Sequence, residues 1–385
     1  MAEWIKCKIS DIGTVVGGAT PPTKKTENYE NGNISWITPK DLSSFNGRYI
    51  EHGERNITEV GLKSCHTQLI SKNSVLFSSR APIGYVAIAA KEMCTNQGFK
   101  SIIPNENTDS LFLYYLLKYN KDKIENMGSG TTFKEVSGTI MKNIVVSVPT
   151  DKQIQVKISS FLGVIDDKIE ENEKINNNLE QQAQTIFKSW FIDFEAFSNR
   201  KPSDWSVSTL GNVSIMGAGG DKPQNVSPIK TDLYEYPIYS NGLSNEGLYG
   251  FTDKPKISEE SVTVSARGTI GFVCLRHIPY VPIVRLVTLI PKTEIISAKY
   301  LYLWLKQLHI TGTGTTQQQL TVPDFQKTEI LVPSQEIVTL FTTTVEPIFE
   351  KIWANQNENE KLSSLRDTLL PKLMSGELDV SNIDL

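Results

Sequence analysis

The segment Ile158–Trp190, ISSFLGVIDDKIEENEKINNNLEQQAQTIFKSW, decides how the rest of the chain is organised. Apolar or amide residues recur in it at alternating steps of four and three: Ile158, Leu162, Ile165, Ile169, Asn172, Asn176, Leu179, Ala183, Ile186 and Trp190. That spacing is a heptad seam, the stripe a helix buries against a partner helix. Adding 183 to each number finds a second seam: Phe341, Val345, Ile348, Ile352, Asn355, Asn359, Leu362, Arg366, Leu369 and Leu373. Two stripes that match even in their central asparagines most simply bury against each other, and Asn in a seam sets register at some cost in stability. The expected pairing residues are Ile165, Ile169, Asn172, Asn176 and Leu179 on one helix, with Ile348, Ile352, Asn355, Asn359 and Leu362 on the other. The alternative is two independent amphipathic helices, each packed on its own globular domain.

Working outward, the chain is taken twice. Trp4–Gly13 matches Trp205–Val213 at an offset of 201, and Ser74–Val86 matches Ser261–Val273 at an offset of 187. The second match reads as strand, polar turn, strand, with Arg80 and Arg267 in the same place before an Ile-Gly-[Tyr/Phe]-Val strand. A helix follows in each half, with Asp109 and Ser297 at equivalent N-cap positions where a side-chain oxygen can accept from unpaired amides. Glycine loops come next, Gly128–Thr132 and Gly312–Thr316, and each half closes on a strand ending in proline, Pro149 or Pro333. Residues 24–72 and 225–259 do not align. The plan is therefore domain 1–150, long helix 151–197, domain 198–333, and long helix with tail 334–385. Mixed strands and helices make each globular domain α+β. The fold expected is two similar α+β domains in tandem, separated by two long helices pairing as an antiparallel coiled coil with pseudo-two-fold symmetry. A 33-residue seam would run about 50 Å, more than one turn of B-DNA at roughly 34–36 Å.

Composition bounds the function. With 39% hydrophobic and 21% charged residues the chain is ordinary for a globular protein. It shows no run of about 18 apolar residues and no signal pattern after Met1, so a cytoplasmic location without membrane contact is expected. Cys7, Cys65, Cys94 and Cys274 are scattered, which fits reduced thiols and argues against a disulfide framework or a zinc site. The net charge of −4 is unevenly spread: residues 151–197 hold 5 Lys+Arg against 9 Asp+Glu, and 334–385 hold 4 against 9. The globular parts are mildly basic, 17 against 14 in residues 1–150 and 13 against 11 in 198–333. Domains of that sign can face phosphates while acidic helices stay clear of them or meet a basic protein.

Catalytic motifs fail together. Gly217–Pro223 is glycine-rich but lacks the spacing of a phosphate-binding loop and reads as a turn; Pro323, Asp324 and Glu329 lack the lysine of a nuclease motif. No G-x-S-x-G, H-E-x-x-H or methyltransferase N-P-P-[FY] occurs. No metal or cofactor site is expected, and a binding protein is favoured. The candidate DNA contacts are the recurring polar turns: Arg80 and Arg267, which suit phosphate or guanine edges but could equally hold the turn against a carboxylate, and Lys40, Lys134, Ser240, Asn241, Thr315, Gln317 and Gln318. Glutamine can pair with adenine, yet the same loops could simply be solvated.

Three stretches, Leu179–Phe191, Ser265–Gly271 and Leu370–Leu378, give the chain a resemblance to the specificity subunits of type I restriction-modification systems over essentially its whole length. The resemblance implies two target recognition domains, each followed by a long helix, in a subunit that catalyses nothing and reads a bipartite, asymmetric sequence in double-stranded DNA. It also implies assembly with two methylation subunits and with restriction subunits; S-adenosylmethionine, ATP and Mg would belong to those partners. The long helices would space the two readers and dock the methylation subunits. The competing reading is a stand-alone architectural or regulatory DNA-binding protein.

Overall fold

A computed structural model describes residues 3–130, 134–312 and 318–381. The chain forms two compact units, the first Met1–Lys174 with Gln356–Leu385 and the second Ile175–Asn355. In the first, the five-stranded sheet runs in the order Gly13–Gly17, Lys100–Pro104, Val75–Ser79, Ile83–Ala89, Tyr49–Ile50. In the second, the four-stranded sheet runs Ser214–Ala218, Val287–Pro291, Ser261–Val264, Val273–Arg276. The first four strands of the one correspond in order to the four of the other. Each unit also closes with a two-stranded antiparallel ribbon, Trp4–Lys8 with Val145–Pro149 and Ser206–Thr209 with Glu329–Val332.

The stretches whose sequences refuse to align fold alike. Ile34–Ile37 pairs antiparallel with Arg55–Ile57 and parallel with Cys94–Thr95; Tyr236–Tyr239 pairs antiparallel with Leu248–Thr252 and parallel with Val281–Pro282. The first unit has two helices in this region, Pro39–Ser43 and Glu59–Lys63, where the described residues of the second show only a short 3-10 turn, Ser244–Gly247. One expected strand is shorter than read from sequence: the second unit's strand starts at Val273, the residues before it being held in a turn in which Phe272 N donates to Thr269 O at 3.2 Å.

Both N-caps form, Asp109 accepting from Phe112 N at 2.7 Å and Ser297 accepting from Tyr300 N at 3.2 Å. The helices they start, Ser110–Tyr119 and Ala298–Gln307, sink into the main cores: Phe112 and Tyr115 in one, Tyr300 and Leu303 in the other, are fully buried. Cys94 and Cys274 are buried as well, and burial pushes each thiol up to about 12. No described helix is long and apolar enough to cross a membrane.

The long helices are Lys152–Phe191 and Gln335–Ser375. They pair antiparallel inside each unit. In the first, Asn172 Nδ2 donates to Asn359 Oδ1 and to Glu358 Oε2, both at 2.8 Å, and Asn359 Nδ2 donates to Ile169 O at 3.3 Å. In the second, Asn355 Nδ2 donates to Asn176 Oδ1 at 2.8 Å and Asn176 Nδ2 to Ile352 O at 3.3 Å. Ile165 and Ile352 are buried, while Ile169, Leu179, Ile348 and Leu362 are half-buried. Seam residues Leu162, Ala183, Phe341 and Val345 are fully buried, and neighbours one position off the seam widen the buried stripe toward the domain. Phe187, Phe191 and Phe349 are buried, whereas Ile186, Trp190 and Ile348 keep partial exposure. A straight helix gains about 20° on a seven-residue repeat, and a helix that serves both a partner helix and a sheet needs a wider stripe than a seam.

Polar groups fasten each domain to its helices. Arg48, buried, donates to Glu170 Oε1 at 2.9 Å and to Gly163 O at 3.3 Å and pairs with Asp167. Tyr115 Oη donates to Asp166 Oδ2 at 2.6 Å, and Asp166 Oδ1 accepts from Arg366 at 2.8 Å. In the second unit Tyr302 Oη donates to Glu180 Oε1 at 2.7 Å, and buried Lys299 bridges Glu260 and Glu346 at 2.8 and 3.1 Å. Beside them His277 stacks on Trp353 with ring centroids 4.2 Å apart.

Two outcomes follow from these contacts. Asn355→Leu leaves Asn176 Oδ1 without its donor, so unfolding free energy in urea should fall by about 1–3 kcal/mol, whereas Asn176→Leu with Asn355→Leu should recover most of that loss. A double variant costing the sum of the singles would contradict the pairing. Burial and then the nearby Lys299 and Arg276 push His277 down to about 4 from 6.5, so the unfolded chain binds the proton more tightly. The stability this contributes is present above pH 6.5 and is lost as pH falls towards 4. His277→Phe keeps the stacked ring and should flatten the dependence of Tm on pH across that window; an unchanged slope would place its origin elsewhere.

Candidate nucleic-acid interface

Each unit ties an arginine turn to a glycine loop in the same way. In the first, Val136 N donates to Ser79 O at 3.0 Å, and Ser129 and Glu135 exchange backbone bonds of 3.1 and 2.9 Å. The loop is thereby pulled beside the turn, and Arg80 reaches Glu135 Oε2 at 3.5 Å while Lys100 reaches Glu135 Oε1 at 3.4 Å. In the second, Leu320 N donates to Ala266 O at 3.0 Å and Arg267 Nη2 donates to Gln319 Oε1 at 2.9 Å. Glu135 and Gln319 hold the same place. The arginine of the first unit therefore meets a carboxylate, and that of the second a neutral amide, which leaves more of its positive charge facing solvent.

The other sequence candidates separate into three groups. Lys134 and Gln318 are exposed on the glycine loops, while Thr315 and Gln317 lie outside the described residues. Lys40 sits on the short helix capped by Thr38 and Asp41 and pairs with Glu54 at 2.8 Å, both side chains largely in solvent, where such a pair contributes little. Ser240 and Asn241 make hydrogen bonds within the fold, Ser240 Oγ donating to Gly247 O at 3.4 Å. Ser240 N donates to Gly247 O at 2.8 Å, and Asn241 accepts from Ala266 N and donates to Val284 O, each at 2.7 Å. The amide of Asn241 thus clamps the arginine turn to a neighbouring turn.

Arg267 opens into a cleft it lines with Lys222, Tyr249, Val284 and Arg285. Sequence reasoning missed most of this cleft. Lys222 lies in the glycine-rich segment 217–223, which reads as a turn but begins as the end of the strand Ser214–Ala218 and continues through a bridge at Gly220, and nothing in the one-dimensional pattern brings it to Arg267. Arg285 belongs to none of the motifs or repeated turns in the sequence. The cleft is assembled by the backbone of Gly219 and Gly220, which Arg285 N and Val284 N join at 2.8 Å each. A Cβ on Gly219 would stand 2.7 Å from Ile283 N, so only glycine permits that approach.

With this geometry in place, the comparisons are specific. A family model described as the type I restriction modification DNA specificity domain matches residues 1–181 and again 202–363. The chain is 34% identical to the type I restriction enzyme MjaIX specificity subunit of Methanocaldococcus jannaschii, over 99% of this chain and 95% of that one. It is 25% identical to the HindI specificity subunit of Haemophilus influenzae, over 98% of this chain and all of the other. Among solved structures, the S subunit of a type I restriction-modification system from M. genitalium superposes with a TM-score of 0.58 at 19% identity, covering 97% of this chain and 96% of that one, a likeness of fold. Two matched repeats and a near full-length relative above 30% identity lead to one conclusion: the chain belongs to the family of type I restriction-modification specificity subunits.

Proposed function

We propose that this chain reads a bipartite, asymmetric target in double-stranded DNA, one part with each globular domain, and carries out no chemistry itself. The observation that supports this reading most is the repeated arginine turn bound to a glycine loop. Each copy offers a guanidinium at the same place at the end of the corresponding strand of its own sheet. Guanidinium groups suit phosphate oxygens and the O6/N7 edge of guanine, and small loop residues let backbone amides approach phosphates. Arg80, Arg267, Lys134 and Gln318 are the proposed contacts, with Lys40 on a separate exposed helix. The acidic helices are the docking surface for two methylation subunits, and restriction subunits join that assembly in the cytoplasm. S-adenosylmethionine, ATP and Mg belong to those partners.

Replacing residues 1–150 with the first domain of another family member should change one part of the methylated target and leave the other intact, when methylated bases are mapped in cells carrying the chain and its methylation partner. A change in both parts, or in neither, would defeat the modular reading. Electrostatics supply a second check. Gln319→Glu places a carboxylate on Arg267 and should reduce the slope of log affinity against log salt by about 0.9, the share of one phosphate contact. Glu135→Gln should increase it through Arg80. Titration of the assembled complex on target DNA measures both, and equal slopes in all three proteins would remove the arginines from the interface.

A further inference from the structure

The turn Ile283–Leu286 in the second unit has a backbone its residues do not favour. Leu286 N donates to Ile283 O at 3.1 Å, and the two central residues take positive φ, Val284 +51 and Arg285 +60. That is a type I′ turn, whose central positions prefer Asn-Gly because L side chains crowd the left-handed region. A β-branched residue is the least suited to it. Four hydrogen bonds hold the conformation from outside: Ile283 N to Tyr239 O at 2.9 Å, Val284 N to Gly220 O and Arg285 N to Gly219 O at 2.8 Å, and Asn241 Nδ2 to Val284 O at 2.7 Å. The result is that Val284 stands 51% exposed, with Arg285 beside it, on the rim of the cleft that Arg267 lines.

The equivalent connection of the first unit is relaxed. At the offset of 187 that aligns the halves, Asn96-Gln97-Gly98 faces Ile283-Val284-Arg285, and Asn96 N donates to Ile37 O at 2.9 Å as Ile283 N does to Tyr239 O. None of residues 96–98 has a positive φ, and Gly98 N is satisfied by Asn96 Oδ1 at 2.8 Å. One place in a duplicated fold therefore shows an exposed glutamine and a glycine in the first unit, and an isopropyl group with a guanidinium in the second. Strain kept where a side chain meets solvent, and absent from the copy, points to a use for that side chain.

We propose that the Val284–Arg285 turn reads bases in the DNA half-site of the second domain, Arg285 bonding the O6/N7 edge of guanine and Val284 packing on a thymine methyl, with Arg267 and Lys222 on phosphates. The assignment rests on the reading of the chain as DNA-binding. Its chemistry follows the groove: a guanidinium matches two acceptors on guanine, and an apolar branch matches the one methyl a base pair presents.

The test sets stability against recognition. Val284→Asn with Arg285→Gly installs the preferred turn pair, so Tm of the full chain should rise by a few degrees. In cells carrying the variant and its methylation partner, mapped methylation should show at least about ten-fold weaker discrimination at one or more positions of the second domain's half-site, the other half unchanged. Arg285→Lys keeps turn and charge but loses the paired hydrogen bonds, and should relax one position while affinity for non-target DNA is retained. If Tm rises and both half-sites stay unchanged in both variants, the turn is structural and the assignment falls. If the unaltered chain itself directs no split methylation, the DNA-binding reading falls first and takes this assignment with it.

Discussion

A buried amide needs a partner, and in the long helices that requirement is met in one register. Asn172 meets Asn359 in the first unit and Asn176 meets Asn355 in the second, with backbone carbonyls of Ile169 and Ile352 taking the remaining donors. Sliding either helix by one heptad would carry Asn355, about 1% exposed, opposite Ala183 or Ile169 in place of its amide partner. Burying an unpaired amide costs on the order of 1–3 kcal/mol, which is large beside the few kcal/mol by which most domains are stable. Asn172 Oδ1 remains without a partner among the described residues, so this register carries its own small cost.

The domains inherit their placement on the helices from that pairing. Asp166 shows the link in one side chain: it accepts from Tyr115 of the first domain and from Arg366 of the opposing helix. Lys299 does the same in the second unit, joining Glu260 of the domain to Glu346 of the helix, and Arg48 enters the first unit's helix through Glu170 and Gly163. Breaking a buried charge pair strands a charge, so these contacts resist small shifts of sheet against helix. The proposed reading turns are anchored to the same sheets, Ser79–Arg80 at the end of Val75–Ser79 and Arg267 just beyond Ser261–Val264. A reader needs that rigidity, because a guanidinium discriminates between bases only if its two hydrogen bonds arrive in a fixed geometry.

Duplication made much of the fold legible in one dimension. Heptad spacing, the paired asparagines, the N-caps Asp109 and Ser297 and the repeated Arg80 and Arg267 are local or periodic signals, and periodicity survives in a single sequence. The site was legible only in part. Asn241, a candidate contact by residue type, also bonds Ala266 N and Val284 O, and whether an amide meets backbone depends on what folds against it. Lys222 and Arg285 are not singled out by sequence for the converse reason, since their meeting with Arg267 is made by connecting segments that only the fold brings together.

The sequence by itself determined the repeat, the pairing of long helices and the α+β character of each half, because those depend on side-chain period and on residues within a few positions of each other. Only the tertiary structure decided that residues 24–72 and 225–259 each supply two strands to a three-stranded sheet of the same pairing pattern in their own unit, since strand pairing is a backbone property that divergent side chains can both satisfy. It also decided the charge of the two arginine turns. Glu135 and Gln319 lie 55 and 52 residues from their arginines, and only the closing of each glycine loop brings a carboxylate to one guanidinium and a neutral amide to the other.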